Sequence, residues 1–575
     1  MDSMTHTHVC IVGAGPSGLT LANELQRYGV PFELIERRTE RTVDSKAFAL
    51  HARSLEVFRR MGVADAILAR GLPVAGMAAW AGKRRVLEGD LRLLNSEFPC
   101  VLSIPQADTE AVLLDTLLES GGTVHWGQTL TAVRQNALQA QVDVRDNDGN
   151  TRTIACRWLV GCDGAHSQVR RLANIDWSGD DYDFEFMVAD GNIEWSGDLE
   201  SGHTFLNRQG YVMLFPLPKG RHRIVINVDV GRFSREELSA ELVNRILQDR
   251  GMGDVTFSNP FWLSSTQGRR RIAGSFRSGR VLLAGDAAHV HSPLGGQGLN
   301  TGIQDAYQLA WRLAAIRNCV DAEHPLLSAY ALERRQVAQE VLKNTDKLTR
   351  LFTARAPLAL LVRNYVIPLL SRRRAFNISL AQTASGVGIR LAQPALALRG
   401  PVNAKLAGTR LLHASINELY SATPVLMGNV IARDAFELVL LLGKAQTPAF
   451  YEAKRCLAQL RNAVPHPADQ HRNAVAIEPR RSLIVTPAIE PMLATWPEDL
   501  TDTRYLDVSG AVLQHYGIND AGYLLVRPDG YIACGGPLLN AEDLIHNLGA
   551  VLHWPSTSAT SFPQPIATPH QLAEV

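Results

Sequence analysis

The spacing of apolar residues at the start of the chain predicts a strand, a helix and a second strand. Residues 8–13 are an apolar run of strand length, and apolar positions from Leu19 to Leu25 then recur at helical spacing. Residues 31–36 form the next apolar run. Because a strand, a helix and a strand follow one another within about 30 residues, we expect a β-α-β unit and a parallel sheet.

The pattern changes after about residue 175. Short segments with period-two alternation, among them residues 211–216 and 222–228, predict the strands of a separate antiparallel sheet. A buried-strand pattern returns at residues 279–285, and it precedes a long helix whose apolar face runs from Leu299 to Leu313. We therefore expect the middle sheet to be inserted into the first domain.

The last part of the chain is predicted to hold a helical region and then a small mixed domain. Residues from about 340 to 445 have a helix-rich pattern, and a loop at 465–469 marks a boundary. Beyond this loop the pattern predicts a strand at 481–485, a helix at 510–516 and a hairpin at 523–533. The hairpin turns on the sequence Pro-Asp-Gly, which favours tight turns.

Composition excludes several classes of protein. The 575 residues favour two to four domains, and 46% hydrophobic with 20% charged residues is ordinary globular usage. With 58 Lys and Arg against 57 Asp and Glu the net charge is +1, so we expect no nucleic acid partner. Seven cysteines without a C-x-x-C pair suggest no disulfide framework, and no cluster has metal-ligand spacing, so no metal is predicted.

The sequence predicts neither an export signal nor a membrane span. The amino terminus lacks a basic segment followed by an apolar run, so no export signal is predicted. The stretch 351–370 is apolar but carries Arg355, Pro357, Arg363 and Pro368, which disfavour a membrane span. We expect this stretch to be an amphipathic helix and the protein to be cytoplasmic.

A glycine-rich turn joins the first predicted strand to the first predicted helix. Its sequence is Gly13-Ala-Gly15-Pro16-Ser17-Gly18, a G-x-G-x-x-G pattern in strand-turn-helix context. The helix amino terminus would offer free N–H groups to a phosphate. Glu36 follows 18 residues after Gly18, near the distance at which an acidic residue accepts from a ribose hydroxyl. A nucleotide-free turn with a surface glutamate is the alternative interpretation.

Two further motifs appear later in the chain. The first is Asp163-Gly164, within the sequence GCDGAHSQVR. The second begins with Asp286 in the sequence GDAAHVHSPLGGQGLN, which ends in a loop with three glycines between Pro293 and Asn300. Such a loop leaves the backbone bare, so that a planar ring can approach its amides. Each motif alone could be a structural turn, and we expect His289 to have a packing or hydrogen-bonding role.

Taken together, the three motifs resemble the fingerprints of the class A flavoprotein aromatic monooxygenases, the para-hydroxybenzoate hydroxylase-like family. The resemblance covers about residues 8–350 and implies FAD held tightly without a covalent bond. The cofactor-binding residues that it implies are Gly13, Gly15, Pro16, Ser17, Gly18, Glu36, Arg37, Lys46, Gln106, Leu130, Asp163, Gly164, Asp286, Gly295, Gly296, Gly298, Leu299 and Asn300. One departure is Lys46, where the family often has arginine, because lysine lacks the planar fork that binds phosphate at two points.

The resemblance also implies a reaction. NAD(P)H, by family habit NADPH, would visit transiently to reduce the flavin, and O₂ would form a C4a-hydroperoxide that hydroxylates a phenolic or polycyclic aromatic substrate. The backbone of Pro293 would lie near that substrate. Period-two alternation places Tyr211, Met213 and Phe215 on one face as candidate lining residues. Arg223 is a weaker candidate for binding a polar substituent, and a solvated charge is its alternative.

Other functions remain open at this point. The same flavin chemistry could serve Baeyer-Villiger insertion, epoxidation or inactivation of a drug. From another class comes a non-catalytic scaffold protein that binds flavin and a ligand without turnover. Both would share the glycine-rich turn, and the intact loop from Pro293 to Asn300 argues against the scaffold.

The predicted fold is α/β, with a Rossmann-like FAD-binding domain, an inserted mainly antiparallel substrate sheet, a helical connector and a C-terminal thioredoxin-like domain. The FAD-binding domain spans 1–175 and 276–375, the substrate sheet 176–275, the connector 376–470 and the last domain 471–575. The last domain resembles that of phenol hydroxylase and polyketide-tailoring hydroxylases, chiefly at its hairpin. It has no redox cysteine pair, so we expect it to stabilise the protein or to mediate self-association as a homodimer.

Overall fold

A computed structural model describes most of the chain. The described residues are 4–42, 47–234, 236–292, 294–319, 324–354, 356–391, 403, 405–419, 423–443, 448–463, 479–490, 493 and 501–552. They form a mixed α/β fold with three large sheets and one three-stranded sheet.

The first large sheet begins with the predicted β-α-β unit. The elements up to residue 175 are β1 (Met4–Val12), α1 (Pro16–Arg27), β2 (Phe32–Glu36), β3 (Ala49–His51), α2 (Ala52–Met61), α3 (Ala64–Leu68), β4 (Leu72–Val74), β5 (Gly76–Ala81), β6 (Arg84–Asp90), β7 (Val101–Ser103), α4 (Gln106–Glu119), β8 (His125–Trp126), β9 (Thr129–Gln135), β10 (Ala140–Arg145), β11 (Thr151–Gly161) and α5 (Gln168–Leu172). In this sheet β1 lies between β2 and β11 and is parallel to both. The predicted parallel sheet is confirmed.

Parallel pairing brings the carboxyl ends of these strands to one edge. Gly13 donates its N–H to the Ile35 carbonyl at 2.8 Å, and Cys162 donates to the Val12 carbonyl at 2.8 Å. The turns that follow three neighbouring strands are therefore side by side, which is where open α/β sheets bind ligands.

The middle of the chain forms the second large sheet. Its elements are β12 (Trp177–Glu194), β13 (Gly202–Leu206), β14 (Tyr211–Leu217), β15 (Arg221–Asp229), α6 (Ala240–Asp249) and β16 (Thr256–Ala273). The predicted antiparallel strands at 211–216 and 222–228 are confirmed as β14 and β15. The sheet also takes in β5 and β6, which the sequence analysis counted with the first domain, because β5 pairs in parallel with β13.

The chain then returns to the first sheet and continues into helices. The elements are β17 (Arg277–Ser278), β18 (Val281–Leu283), β19 (His289–Val290), α7 (Gln297–Ala315), α8 (Pro325–Phe352), α9 (Pro357–Leu361), α10 (Ile367–Leu370) and α11 (Arg374–Ser385). A π-helical turn at Val362–Val366 joins α9 to α10. Since β18 pairs in parallel with β11, the middle sheet is an insertion as predicted. Among the described residues, no helix is long and apolar enough to cross a membrane.

The carboxy-terminal region forms the third large sheet. Its elements are β20 (Ser415–Glu418), β21 (Pro424–Leu426), α12 (Met427–Val430), β22 (Glu437–Leu442), α13 (Pro448–Ala463), β23 (Arg480–Val485), β24 (Thr503–Leu506), α14 (Ala511–Tyr516), β25 (Ala521–Val526), β26 (Ile532–Pro537) and α15 (Ala541–Leu552). The predicted strand, helix and hairpin are confirmed as β23, α14 and the β25–β26 pair. Gly530 in the hairpin turn has a φ of 79°.

One expectation for this region is wrong. The helix-rich pattern predicted a helical connector up to residue 470, whereas β20, β21 and β22 lie within it and belong to the third sheet. The physical reason is clearest at β22, whose sequence ELVLLL is buried throughout between β23 and β25. A short continuous run of apolar residues has no periodicity, so it fits a buried strand as well as a buried helix.

Candidate FAD site

The first glycine turn is packed against its neighbours without spare room. Gly13 has a φ of 105°, and a side chain there would clash with the backbone of Cys162. A side chain at Gly18 would clash with the Gly13 carbonyl, because α1 crosses directly over the turn. Both positions require glycine for the fold itself.

Gly15 has a different surrounding. A Cβ atom at this position would have no protein atom within 4 Å, so its Cα faces open space. Gly15 is also the N-cap of α1, and no side chain caps this helix; Pro16 follows in its first turn. The free N–H groups and the positive end of the helix dipole therefore face the opening, which suits a pyrophosphate.

Glu36 lies at the end of β2, beside this opening. Its carboxylate is buried and accepts hydrogen bonds from the Ala14 N–H at 2.8 Å and from the Arg38 backbone N–H at 3.0 Å. Burial acts to raise the pKa of Glu36, but the bonds from Arg38 and Ala14 lower it below its usual value. The group is held as a carboxylate, which accepts from ribose hydroxyls.

The Asp163 carboxylate forms hydrogen bonds within the second turn. It accepts hydrogen bonds from the Ser167 hydroxyl at 2.5 Å and from the Gln168 and Val169 N–H groups at 2.6 and 3.1 Å. It thus caps the amino terminus of α5. Gly164, with a φ of 77°, has no protein atom near its Cβ direction, so this turn also presents bare backbone.

Asp286 occupies the third turn. It is exposed, whereas Gly285 and Ala287 on either side are buried. A side chain at Gly285 would clash with Ser17 at the start of α1, which brings the first and third motifs into contact. An exposed carboxylate in a buried turn, at the edge that holds the first motif, suits hydroxyls of the cofactor's ribityl chain.

The sequence analysis missed the residue that holds this turn in place. Asp305 on α7 is completely buried and accepts from the Gly285 N–H at 3.0 Å, from His289 Nε2 at 2.8 Å and from Arg334 Nε at 2.5 Å. Burial acts to raise the pKa of Asp305, but Arg334 and His289 bring it down to about 2. His289 has the hydrogen-bonding role that the sequence predicted. The usable signal was a charged residue on the apolar face of a helix.

The glycine loop before α7 is tied to the strand β3. Gly295 and Gly296 have φ values of 88° and 63°, and Gly296 is the N-cap of α7. The Asn300 side chain accepts from the His51 N–H at 2.8 Å and donates to the Ala49 carbonyl at 2.9 Å. Asn300 also donates to the Gly296 carbonyl at 2.7 Å and thus fixes the loop from inside.

Two buried imidazoles lie against this loop. A side chain at Gly296 would approach the His51 ring, and one at Gly298 would lie between His291 and Asp286. Burial lowers the pKa of His51 to about 4, and burial with the nearby His289 lowers that of His291 to about 4. Both rings are therefore neutral at physiological pH.

The structure describes the contacts or burial of four further predicted cofactor residues. Gln106 starts α4, and its side chain donates to Glu110 at 2.8 Å. Leu130 is buried on β9, two residues after Gln128, whose N–H donates to the Glu36 carbonyl. Arg37 is exposed next to Glu36, and Leu299 is partly buried in the first turn of α7. Lys46 and Pro293 lie outside the described residues.

The predicted substrate face is a single apolar surface of the second sheet. Tyr211, Met213 and Phe215 are buried on β14 and belong to one cluster with Leu294 of the glycine loop and Phe352 of α8. Their strand neighbours Val212 and Leu214 point to the other face and pack with α6. The predicted alternation along β14 is therefore present, and its aromatic face is directed at the glycine loop.

Arg223 lies at the same face but is not a solvated charge. Its guanidinium is buried and forms two hydrogen bonds of 2.6 Å with the carboxylate of Asp190 on β12. Its Cζ atom also lies 5.0 Å from the ring centroid of Phe48. Phe48 in turn lies 5.2 Å from Phe215, so a polar pair borders the aromatic cluster.

Comparison with known proteins places this geometry in a family. The model of the FAD binding domain family matches residues 6–345. The 6-methylpretetramide 4-monooxygenase of Streptomyces rimosus is 32% identical over 567 residues, which cover 96% of this chain and 94% of that enzyme. The chain belongs to the FAD-dependent aromatic monooxygenases.

Other relatives agree with this membership. The pentachlorophenol 4-monooxygenase of Sphingobium chlorophenolicum is 34% identical over 59% of this chain and 64% of its own length. Among solved structures, an anhydrotetracycline hydroxylase from Streptomyces rimosus superposes with a TM-score of 0.71 at 28% identity, covering 96% of this chain and 100% of that one. This monooxygenase uses FAD, with NAD(P)H as co-substrate, to hydroxylate aromatic compounds.

The residues described above fit FAD. Gly15 offers open space where a phosphate must approach closely, and Gly164 offers bare backbone beside it. Glu36 and Asp286 supply carboxylate oxygens, which suit the hydroxyl groups of FAD. A bare glycine loop then faces the aromatic side of the second sheet. No group of three or more His, Cys, Asp or Glu residues in the described part of the chain could hold a metal ion.

Proposed function

We propose that this monooxygenase hydroxylates a multi-ring phenolic substrate held between β14 and the glycine loop. The observation that carries the proposal is the single cluster formed by Tyr211, Met213, Phe215, Leu294 and Phe352. A face of this composition binds flat apolar rings. Two relatives that match most of this chain are named for 6-methylpretetramide and for anhydrotetracycline, which supports several fused rings over one.

Residue roles follow from position. When bound, FAD accepts a hydride from NAD(P)H and activates O₂ for insertion into an aromatic ring. Gly15, Gly164 and the start of α1 would hold its phosphates, while Glu36 and Asp286 would accept from its hydroxyl groups. The loop 294–298 would offer its backbone amides to negative charge on the flavin.

The protein also controls water and polarity near the reacting ring. His51 and His291 are neutral and buried, so they add no positive charge under the loop. The side chains of the apolar cluster would keep water away from the reacting ring. The pair Arg223–Asp190 is the polar element at the border of the cluster, and we assign it the orientation of a substrate hydroxyl or carbonyl.

The roles of Lys46, Pro293, Gln106, Leu130 and Arg37 in binding cofactor or substrate stay predictions from the resemblance. The same holds for NADPH over NADH, for a homodimer and for a cytoplasmic location. The alternatives of oxygen insertion, epoxidation or drug inactivation use the same site. They differ only in the product formed.

We also propose that the third sheet is a thioredoxin-like unit without redox function. Supporting this, β22, α13 and β23 form a parallel β-α-β unit, and β25 lies antiparallel to β22 with β26 outside it. Its Cys534 is buried, and burial raises the pKa of this thiol to about 12. A thiol that stays protonated performs no exchange, so the unit contributes structure.

The test measures binding, oxidation and product separately. The purified protein is titrated with FAD, and NAD(P)H oxidation is then followed with single-ring phenols and with three- and four-ring phenols. We expect multi-ring phenols to stimulate oxidation and to gain one oxygen atom by mass. Stimulation by single-ring phenols alone would overturn the substrate class. Ligand binding without O₂ consumption would instead support a non-catalytic scaffold.

A further inference from the structure

The helical segment 357–370, made of α9, the π-helical turn and α10, exposes an apolar face. Six large side chains lie on it at helical spacing, and they range from 39% to 75% exposed. They are Leu358, Leu361, Val362, Tyr365, Val366 and Leu369. We call these six residues the apolar stripe. Contiguous exposed patches of this kind mark interaction surfaces in folded proteins.

The opposite side of this segment is attached firmly to the protein. α10 and the π-helical turn pack against β6, the edge strand of the second sheet. Arg363 is buried beneath the turn and donates to the Phe352 carbonyl at 3.3 Å. The stripe is therefore held outward by a packed helix, and its exposure is a property of the fold.

Arginines flank the apolar stripe. Residues 347–417 contain eleven Lys or Arg and no Asp or Glu, in a chain whose net charge is only +1. Arg372, Arg373 and Arg374 are exposed directly after α10. On the other side, Arg84 of β6 lies with its Cζ atom 4.9 Å from the Tyr365 ring centroid. We call these four arginines the basic rim.

We propose that the apolar stripe and the basic rim form a docking surface for an anionic lipid bilayer. Apolar and aromatic side chains would enter the boundary between headgroups and acyl chains, while the arginines would contact lipid phosphates. The geometry is that of a helix lying in the plane of the interface. A second copy of this chain offers the same basic charge around its stripe, so like charges would oppose stripe-to-stripe pairing.

Docking would also place the substrate sheet beside the lipid. Val86 of β6 belongs to the aromatic cluster that includes Met213, and β6 is the strand on which the stripe segment rests. Multi-ring aromatic compounds concentrate in lipid because they are apolar. The edge of the substrate sheet would then lie where such a compound is most abundant. Lipid docking itself does not depend on the flavin chemistry.

The experiment measures co-sedimentation of the full-length protein, loaded with FAD, with two kinds of vesicle. One contains phosphatidylcholine alone, and the other contains about 30 mol % phosphatidylglycerol, a typical anionic content for such tests. We expect binding to the anionic vesicles, weaker binding in high salt, and little binding to phosphatidylcholine. Absence of binding to anionic vesicles at low salt would overturn the proposal.

Substitutions identify the surface. The double variant Leu358→Ser/Leu369→Ser should reduce binding about tenfold or more, since two inserted side chains are lost. Each of Arg372→Gln and Arg373→Gln should reduce it about fivefold. Leu138→Ser, at an equally exposed leucine in the turn between β9 and β10, is the matched control and should bind as the wild type does. Equal binding by the stripe variants would contradict the proposal.

A second measurement tests the proposal even if the serine or glutamine variants do not fold. Tyr365→Trp adds an indole to the nine tryptophans of the chain, and the difference between its emission and that of the wild type should shift to shorter wavelength when anionic vesicles are added. Light scattering of the protein without vesicles measures its oligomeric state. A dimer that dissociates in Leu358→Ser/Leu369→Ser, together with no vesicle binding, would show a protein-protein interface and overturn lipid docking.

Discussion

Arg334 and Asp305 form an ion pair of 2.5 Å between Nε and Oδ1, and both side chains are completely buried. Asp305 also accepts from the Gly285 N–H, in the turn that presents Asp286 to the cofactor opening. Arg334, 29 positions later in the chain, therefore helps to keep Asp305 charged, and Asp305 holds this turn. The FAD site is supported from behind by α7 and α8.

We predict that Asp305→Asn lowers both stability and FAD affinity. The substitution leaves the Arg334 guanidinium buried without its anion, which costs about 3–5 kcal/mol in comparable cases. Denaturant unfolding and FAD titration measure the two effects. The control is Arg350→Gln, which breaks the exposed pair with Asp346 and should cost less than about 1 kcal/mol. Similar stability for both variants would show that the buried pair does not support the site.

The second prediction concerns pH. Burial lowers the pKa of His51 and of His291 to about 4, from an ordinary value near 6.5. Between these values the unfolded chain binds more protons than the folded one, so the free energy of unfolding falls as the pH falls from about 6.5 to 4. The flavin loop should therefore lose FAD in this range, which flavin fluorescence measures. His291→Asn should reduce this pH dependence, because it removes one of the two buried imidazoles.

The third prediction concerns the hairpin of the third sheet. Arg527 forms hydrogen bonds of 2.8 and 3.1 Å with Glu333 of α8, and Glu333 also accepts from Arg312 of α7 at 2.6 Å. Glu333→Gln leaves two buried guanidinium groups with less negative charge, so the free energy of unfolding should fall by about 3–5 kcal/mol.

The control for this prediction is Arg455→Ala, which removes the exposed pair with Glu452 in the same region. It should cost less than about 1 kcal/mol. The third sheet and the FAD-binding domain should unfold in one transition in the wild type. Two separate transitions, or an unchanged midpoint in Glu333→Gln, would mean that this contact does not couple them.

The fourth prediction separates the two faces of β14. Met213→Ala removes a side chain from the aromatic cluster facing the glycine loop, so KM for a multi-ring phenol should rise about tenfold. Leu214→Ala opens a cavity in the opposite core and should cost about 2–5 kcal/mol of stability instead. Steady-state kinetics and thermal unfolding of both variants distinguish the roles. A larger KM effect in Leu214→Ala would place the substrate elsewhere.

The sequence predicted those elements for which the apolar pattern and the turn residues of one short segment indicate the same structure. The strand β1, the turn at Gly13 and the helix α1 follow from an apolar run, glycines and helical spacing within one short segment. The hairpin β25–β26 follows in the same way from its Pro-Asp-Gly turn. In these segments, chain neighbours supply most of the contacts that decide the structure.

Contacts between distant positions account for what the sequence analysis missed. β5 joins the second sheet only through pairing with β13, more than 100 residues later. Arg223 lies in a core because Asp190 is opposite it on the neighbouring strand. The partner of Asp305 is 29 residues away on another helix. None of these pairs has a local signature, so pattern and motif cannot identify them.

The central claim is that FAD binds with its phosphates against Gly15. The most direct test measures both the FAD affinity and the stability of Gly15→Ala. Gly15 has a φ of −79° and open space at its Cβ direction, so alanine should fold normally, with stability unchanged or raised by up to about 1 kcal/mol. If the phosphates of FAD pass close to this Cα, the added methyl group should weaken FAD binding at least about tenfold. Gly13→Ala, by contrast, should destabilise the fold itself, because its side chain meets the Cys162 backbone. A Gly15→Ala protein that folds and binds FAD as tightly as the wild type would contradict the account.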